Sequence, residues 1–253
     1  KKPRQQPGIC LAAAGMTWRS VMRLFSLGKR LSLCASMARQ GTSLADVGTD
    51  HAYLPVWLAK HGLIRNAIAS DVRRGPLERA RRNIERYGED DVITVRLSDG
   101  LDRILPGEAD DIVIAGMGGL MIAEIIRRAQ WLKESGKHLI LQPMTRAEDL
   151  RRSLSEQGFA ILHEQAVQEG SHLYTAMLCA YCPPRCGRGC LFPYVGGLTA
   201  KTPESCAYLR REAKRLQARA DGLSLEGDEE GAKQLFHVLQ KLEALLTPDK
   251  TEG

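Results

Sequence analysis

From residue 29 to residue 180 short apolar runs alternate with amphipathic segments, and most of the apolar runs stop on a glycine or a carboxylate. This alternation constrains the fold more than any other feature of the chain. Strands separated by helix-length crossovers pair in parallel, and a parallel sheet needs helices on both faces to cover it. The expected class is therefore α/β, a sheet between two helical layers.

The elements follow from periodicity and punctuation. Residues 29–40 read as a helix, with Leu31, Cys34, Ala35 and Ala38 at helical spacing, and residues 44–47 as the first strand. A helix is expected over 52–60, with Pro55 in its first turn, and a strand over 67–70 ending at Asp71. Pro76 opens a helix to residue 87 that Gly88 closes, since proline suits a first helical turn and glycine a helix end. Strands over 92–97, 111–115 and 139–141 follow, ending on Ser98-Asp99-Gly100, on Gly116-Met117-Gly118-Gly119 and on Gln142-Pro143. Helices to residue 128 and over 147–157 alternate with them, and 159–167 with 173–180 read as a closing antiparallel pair. In such sheets the active groups collect beyond the carboxyl ends of the strands, where the polar residues and glycines fall here.

Beyond residue 200 the period changes. Cys206, Leu209, Ala213, Leu216, Ala220 and Leu223 are spaced by threes and fours, as are Ala232, Leu235, Leu239, Leu242 and Leu246. These are coiled-coil seams. The break between them at 222–231 predicts an antiparallel helical hairpin. Its first helix carries Arg210, Arg211, Lys214, Arg215 and Arg219, within a chain of formal net charge +6. A solvated charged face and a nucleic-acid contact both account for that surface. The expected division is a flexible extension over 1–22 (or sequence upstream of a start at Met16 or Met22), a catalytic domain over 23–195, and the hairpin over 196–253. No apolar run reaches the roughly 20 residues that span a bilayer, so a cytoplasmic protein with reduced thiols is expected, and a monomer over an oligomer.

Four constellations carry chemistry. Asp46-Val47-Gly48-Thr49-Asp50-His51 follows the first strand, where a glycine admits close backbone approach to a ligand. It lacks the Gly-x-Gly-x-x-Gly of dinucleotide binding. Asp71, about twenty residues on, stands where acidic residues accept from ribose hydroxyls in nucleotide-binding sheets; alone, it serves equally as a turn cap. Asp99 and Gly100 suit an adenine amine or an Asx turn. Gly116 to Gly119 lead into a helix without the Lys-Ser or Lys-Thr of a P-loop, so an uncharged, open site is expected there rather than a phosphate cradle.

The run Asp46 to Pro55, then Ile114-Ala115-Gly116-Met117-Gly118-Gly119, then Leu141-Gln142-Pro143 resembles the bacterial tRNA (adenine-N1)-methyltransferases that act on adenine 22. The likeness spans about residues 28–246. It implies a Rossmann-like domain for S-adenosyl-L-methionine and a coiled coil that binds tRNA. Carried over, Asp46, Gly48, Asp50, His51, Asp71, Asp99 and Gly100 surround the cofactor, with Gly116 and Met117 near the transferred methyl. Asp50 and Gln142 would act in catalysis, Tyr53 and Gln142 would face the base, and Arg210, Arg211, Lys214 and Arg215 would meet tRNA. Three departures stand out: Asp71 where the family often has Glu, Met144 where Asn usually follows Gln-Pro, and Ser98 for a common Gly.

Two alternatives stay open: a methyltransferase for another RNA site or a small molecule, and a non-catalytic nucleotide- or RNA-binding protein. Cys179, Cys182, Cys186 and Cys190 crowd a Pro- and Gly-rich stretch that suits either zinc or, for Cys179, a buried strand thiol. The spacing is not that of paired Cys-x-x-Cys knuckles, and no metal is assigned.

Overall fold

A computed structural model of the chain describes residues 24–134, 136–183 and 189–247. The extension expected over 1–22 lies outside the described residues, as does Cys186. The elements run α1 (Lys29–Met37), β1 (Thr42–Val47), α2 (Tyr53–Lys60), β2 (Ile64–Asp71), α3 (Arg74–Tyr87), β3 (Ile93–Leu97), β4 (Asp111–Gly118), α4 (Gly119–Arg128), β5 (His138–Thr145), α5 (Ala147–Glu156), β6 (Phe159–Glu169) and β7 (His172–Tyr181), then α6 (Phe192–Val195), α7 (Pro203–Leu225) and α8 (Glu229–Leu246).

The seven strands form one sheet in the order β3-β2-β1-β4-β5-β7-β6. The first five are mutually parallel, while β7 runs antiparallel to both β5 and β6. Strand periodicity splits the core into two layers. Ile112 and Ile114 of β4 and Leu139 and Leu141 of β5 pack with Ile122, Ile126 and Leu150 of α4 and α5. The intervening Val113 and Ile140 face Leu33, Leu54, Val56 and Ile84 of α1, α2 and α3. The α/β sandwich expected from the alternation is thus present, and so are the helical hairpin and the closing antiparallel pair.

Three boundaries differ from expectation. Strand β4 continues through Gly116-Met117-Gly118, and β5 through Gln142-Pro143, so these motifs lie inside strands rather than after them. Their pairing shifts register at Ala115/Met117 and again at Met117/Gly118, because the Gly116 N–H donates to the Gln142 side chain. Helix α7 runs past Gly222 to Leu225, since the Gly222 carbonyl accepts from Glu226 N–H in a continued helical turn. The break is only Glu226 to Asp228, whose carboxylate caps α8 by accepting from Gly231 N–H at 2.9 Å.

The hairpin is docked on the sheet. Leu209, Leu216, Leu235 and Leu242 share a core with Ala166 of β6 and Tyr194 of α6. Beneath them Arg151 of α5 is 1% exposed and donates to Glu164 of β6 (2.6 Å), to the Tyr208 hydroxyl of α7 (3.3 Å) and to the Pro193 and Tyr194 carbonyls. Glu164 also accepts from the Thr175 hydroxyl and from Gly197 N–H. With every group paired, this network clamps α5, β6, β7 and α7 together. Glu164→Ala strands a buried guanidinium and is expected to lower unfolding free energy by about 3–5 kcal/mol, whereas a hydrophobic replacement of both partners loses much less. Urea titrations of the single and double variants measure the difference.

Candidate active site

A cleft of about 330 Å³ opens between the carboxyl ends of β1 and β4. Its floor and walls come from the turn after β1, from Ala115 and Gly116 of β4, and from Arg30 of α1. Gly48 has φ +79, and a Cβ there would collide with the Met117 thioether methyl. Gly116 has φ +81. Any other residue at either position strains the backbone and narrows the crevice. Thr49 fixes the turn, its hydroxyl accepting from Ala52 N–H at 3.0 Å. Ala52 itself is left-handed at φ 53, a conformation that costs a non-glycine residue of order 1–3 kcal/mol.

Gln142 is fully buried beneath Gly116. Its carboxamide oxygen accepts from Arg30 Nη1 at 2.6 Å and from Gly116 N–H at 3.1 Å, and its nitrogen donates to the Pro143 carbonyl at 2.9 Å. Arg30 is held in turn by Glu169 of β6, with a 3.6 Å ion pair and a bond from its backbone N–H.

The two carboxylates of the β1 turn have different surroundings. Asp46 is buried, and desolvation pushes its pKa up to about 6, opposed by a hydrogen bond from Thr49 and reinforced by Asp71. Asp50 is exposed and bonded to Arg79 of α3, which holds its carboxyl below the usual range; His51 Nε2 lies 3.2 Å away. The His51 ring stacks on Tyr53 at 5.1 Å, and Tyr53 meets Phe25 edge-on at 4.8 Å.

Of the residues singled out from the sequence, Asp46, Gly48, Asp50, His51, Tyr53 and Gly116 line this one cleft. Asp71, Asp99 and Gly100 follow along the same sheet edge at the ends of β2 and β3: Asp71 is buried and accepts from Arg73 N–H at 2.8 Å, and Asp99 pairs with Arg128 at 3.1 Å. Met117 lies against Gly48. On α7, Arg211 and Arg215 border a second groove of about 280 Å³ beside Met144 and Tyr174. Arg211 donates to the Leu173 carbonyl, and Arg215 pairs with Glu148 and Glu212. Arg210 and Lys214 are exposed and have no partner among the described residues. Sequence reasoning missed Arg30, which looks like any basic residue at a helix start. Of the clustered cysteines, Cys179 is buried in β7 while Cys182 and Cys190 are exposed. Among the described residues no group of three or more His, Cys, Asp or Glu is placed to hold a metal.

Residues 27–177 match the model of a methyltransferase domain family. A Bacillus subtilis tRNA (adenine(22)-N(1))-methyltransferase is 37% identical over 157 residues, 62% of this chain and 66% of that protein, so the aligned segment falls just short of two thirds of its length. The crystal structure of the B. subtilis M1A22 tRNA methyltransferase TrmK superposes with a TM-score of 0.79 at 30% identity, over 89% of this chain and 100% of that one. The chain belongs to the tRNA (adenine(22)-N(1))-methyltransferase family. A further relative by structure, a Streptococcus pneumoniae protein solved with S-adenosyl-L-methionine and described as a candidate tRNA (m1A22) methyltransferase, has a TM-score of 0.74 at 33% identity, over 88% and 100% of the two chains.

The buried Asp46 is held against stability. Its folded pKa exceeds the unfolded value, so the native state binds the extra proton and stability falls as pH rises from about 4 to about 6. Asp46→Asn is expected to unfold at higher temperature than the parent above pH 7, with the gap closing below about pH 4. Thermal melts across that range check it.

Proposed function

We propose that the chain transfers a methyl group from S-adenosyl-L-methionine to N1 of adenine 22 in the D-loop of tRNA. The observation that carries this reading is the crevice between Gly48 and Gly116, with Tyr53 at its mouth and buried Asp46 at its base, at the switch point of the sheet. The residues fit this donor. The arginine in its wall, Arg30, is engaged by Gln142 and Glu169 rather than left for phosphate, Gly48 and Gly116 bring bare backbone to the crevice, and carboxylates stand at the ends of β1 and β2 for amine and hydroxyl groups. Asp46, Gly48, Asp71, Asp99 and Gly100 would hold the cofactor along this edge. When bound, it supplies a sulfonium-activated methyl for in-line displacement.

The protein's part is position and charge. Adenine N1 already carries a lone pair, so no strong base is needed, and the product ring is cationic. Asp50, ionised and held low by Arg79, would stabilise that charge. Gln142 acts first on the protein: through Gly116 N–H and Arg30 it fixes the wall against which the base must sit. Holding N1 in line is worth roughly 7–11 kcal/mol in favourable cases. N1 lies on the Watson–Crick edge, so the base must be unpaired or flipped out, and the half-exposed Tyr53 ring is available to stack on it. The hairpin seam closes on itself and on the sheet, which supports a monomer. The proposed substrate sets the place of action as the cytoplasm, where tRNA is. Among the described residues no helix is long and apolar enough to cross a membrane.

The test is methylation of unmodified bacterial tRNA with this donor, followed by nucleoside mass spectrometry. One-methyladenosine at position 22 is expected. Another methylated nucleoside would overturn the target, and no methylation by a donor-bound protein would overturn the activity. Asp50→Ala is expected to slow turnover by about 10²–10³-fold with little change in melting temperature.

A further inference from the structure

Apart from Arg79, which bonds Asp50, helix α3 has a basic surface that neither the crevice nor the hairpin uses. Within Arg74–Tyr87 it carries five arginines against two glutamates, a greater excess than α7, whose five basic residues face three acidic ones. The partners differ too. On α7, Arg211, Arg215 and Arg219 are spent on Glu148, Glu212 and the Leu173 carbonyl. On α3, Arg74, Arg81 and Arg82 are exposed and make no ion pair among the described residues.

Position makes this surface more than a solvated face. Helix α3 starts three residues after Asp71, on the edge of the sheet where the crevice opens, and its Arg79 bonds Asp50 of the crevice wall at 3.1 Å. Arg74 and Arg81, two turns and roughly 10 Å apart along the axis, border a groove of about 250 Å³ that Glu78 also lines and whose apolar side is Leu77, Val95 and Leu97. Helix α3 packs on β2 and β3, whereas α7 packs on β6 and β7. In the strand order the crevice at β1/β4 lies between them. From β2 to β7 is four strand spacings, roughly 19 Å. Helix α3 lies on the α1–α2 face of the sheet and α7 beside α5 on the other face, so a polyanion laid across the carboxyl edge at the crevice meets cations on both sides of it.

We propose that the α3 face, centred on Arg74, Arg81 and Arg82, is a second RNA-backbone contact, gripping phosphates on the side of the target base opposite the hairpin. This rests on the reading of the chain as a tRNA methyltransferase. Unpaired guanidiniums beside an apolar groove suit phosphate and sugar, and being exposed they contact the backbone without reading sequence.

The experiment measures tRNA affinity against salt for the parent, for the triple variant Arg74→Gln, Arg81→Gln, Arg82→Gln, and for the corresponding triple lysine variant. S-adenosylhomocysteine binding serves as the folding control. The glutamine variant is expected to bind tRNA at least tenfold more weakly and to show a salt slope smaller by about 2, since each lost phosphate contact removes about 0.7–0.9. The lysine variant is expected to keep most of the affinity. Unchanged affinity and slope in the glutamine variant, with parent binding intact, would overturn the α3 contact alone. No measurable tRNA binding by the parent would overturn the RNA reading and this contact with it.

Discussion

Strand β1 pairs in parallel with both β2 and β4, and the rest of the molecule follows from that constraint. Parallel neighbours cannot be joined by a tight turn, so α2 and α3 carry the chain outward to β2 and β3 before it returns to β4. Where the direction of travel reverses, the loops leaving β1 and β4 diverge and a crevice is left between their carboxyl ends. Gly48 leaves β1 and Gly116 lies near the end of β4, so two left-handed backbone positions that favour glycine border the opening the topology creates.

A crevice made by topology still needs a fixed wall. That wall is the kinked end of β4, held because Gln142 takes the Gly116 N–H that the strand ladder gives up. Arg30 from α1 and Glu169 from β6 complete the chain of contacts, so elements far apart in sequence converge on one buried carboxamide. The Arg151–Glu164–Tyr208 network plays the matching role on the hairpin side, setting α7 against the catalytic sheet. The Arg151–Glu164 pair and the Gln142 carboxamide are buried, so each unmade bond there is expensive, and that expense keeps the arrangement unique.

Much of this was legible in the sequence because it rests on period and punctuation. The alternation of strands and helices, the hairpin seams and the six residues that meet in the crevice all have local signatures. What was not legible depends on distant partners. The motif glycines of β4 and Gln142 sit inside strands because each satisfies the other, a pairing 26 residues apart. Gly222 looked like a break, but the helix continues through it and Gly227, with φ +83, makes the turn instead. Arg211 and Arg215 share the sequence pattern of Arg210 and Lys214, yet only the fold reveals Glu148 and Leu173 beside them. Arg30 carries no motif; its place is assigned entirely by the packing of α1 against β5 and β6.

We propose the Gly48–Gly116 crevice as the cofactor seat. Calorimetric titration of S-adenosylhomocysteine into the parent chain and into Gly116→Val, with melting temperatures recorded for both, tests it most directly. One-to-one binding to the parent and at least tenfold weaker binding to a folded Gly116→Val are expected. Equal affinity in the two proteins would contradict it and place the cofactor elsewhere on the sheet.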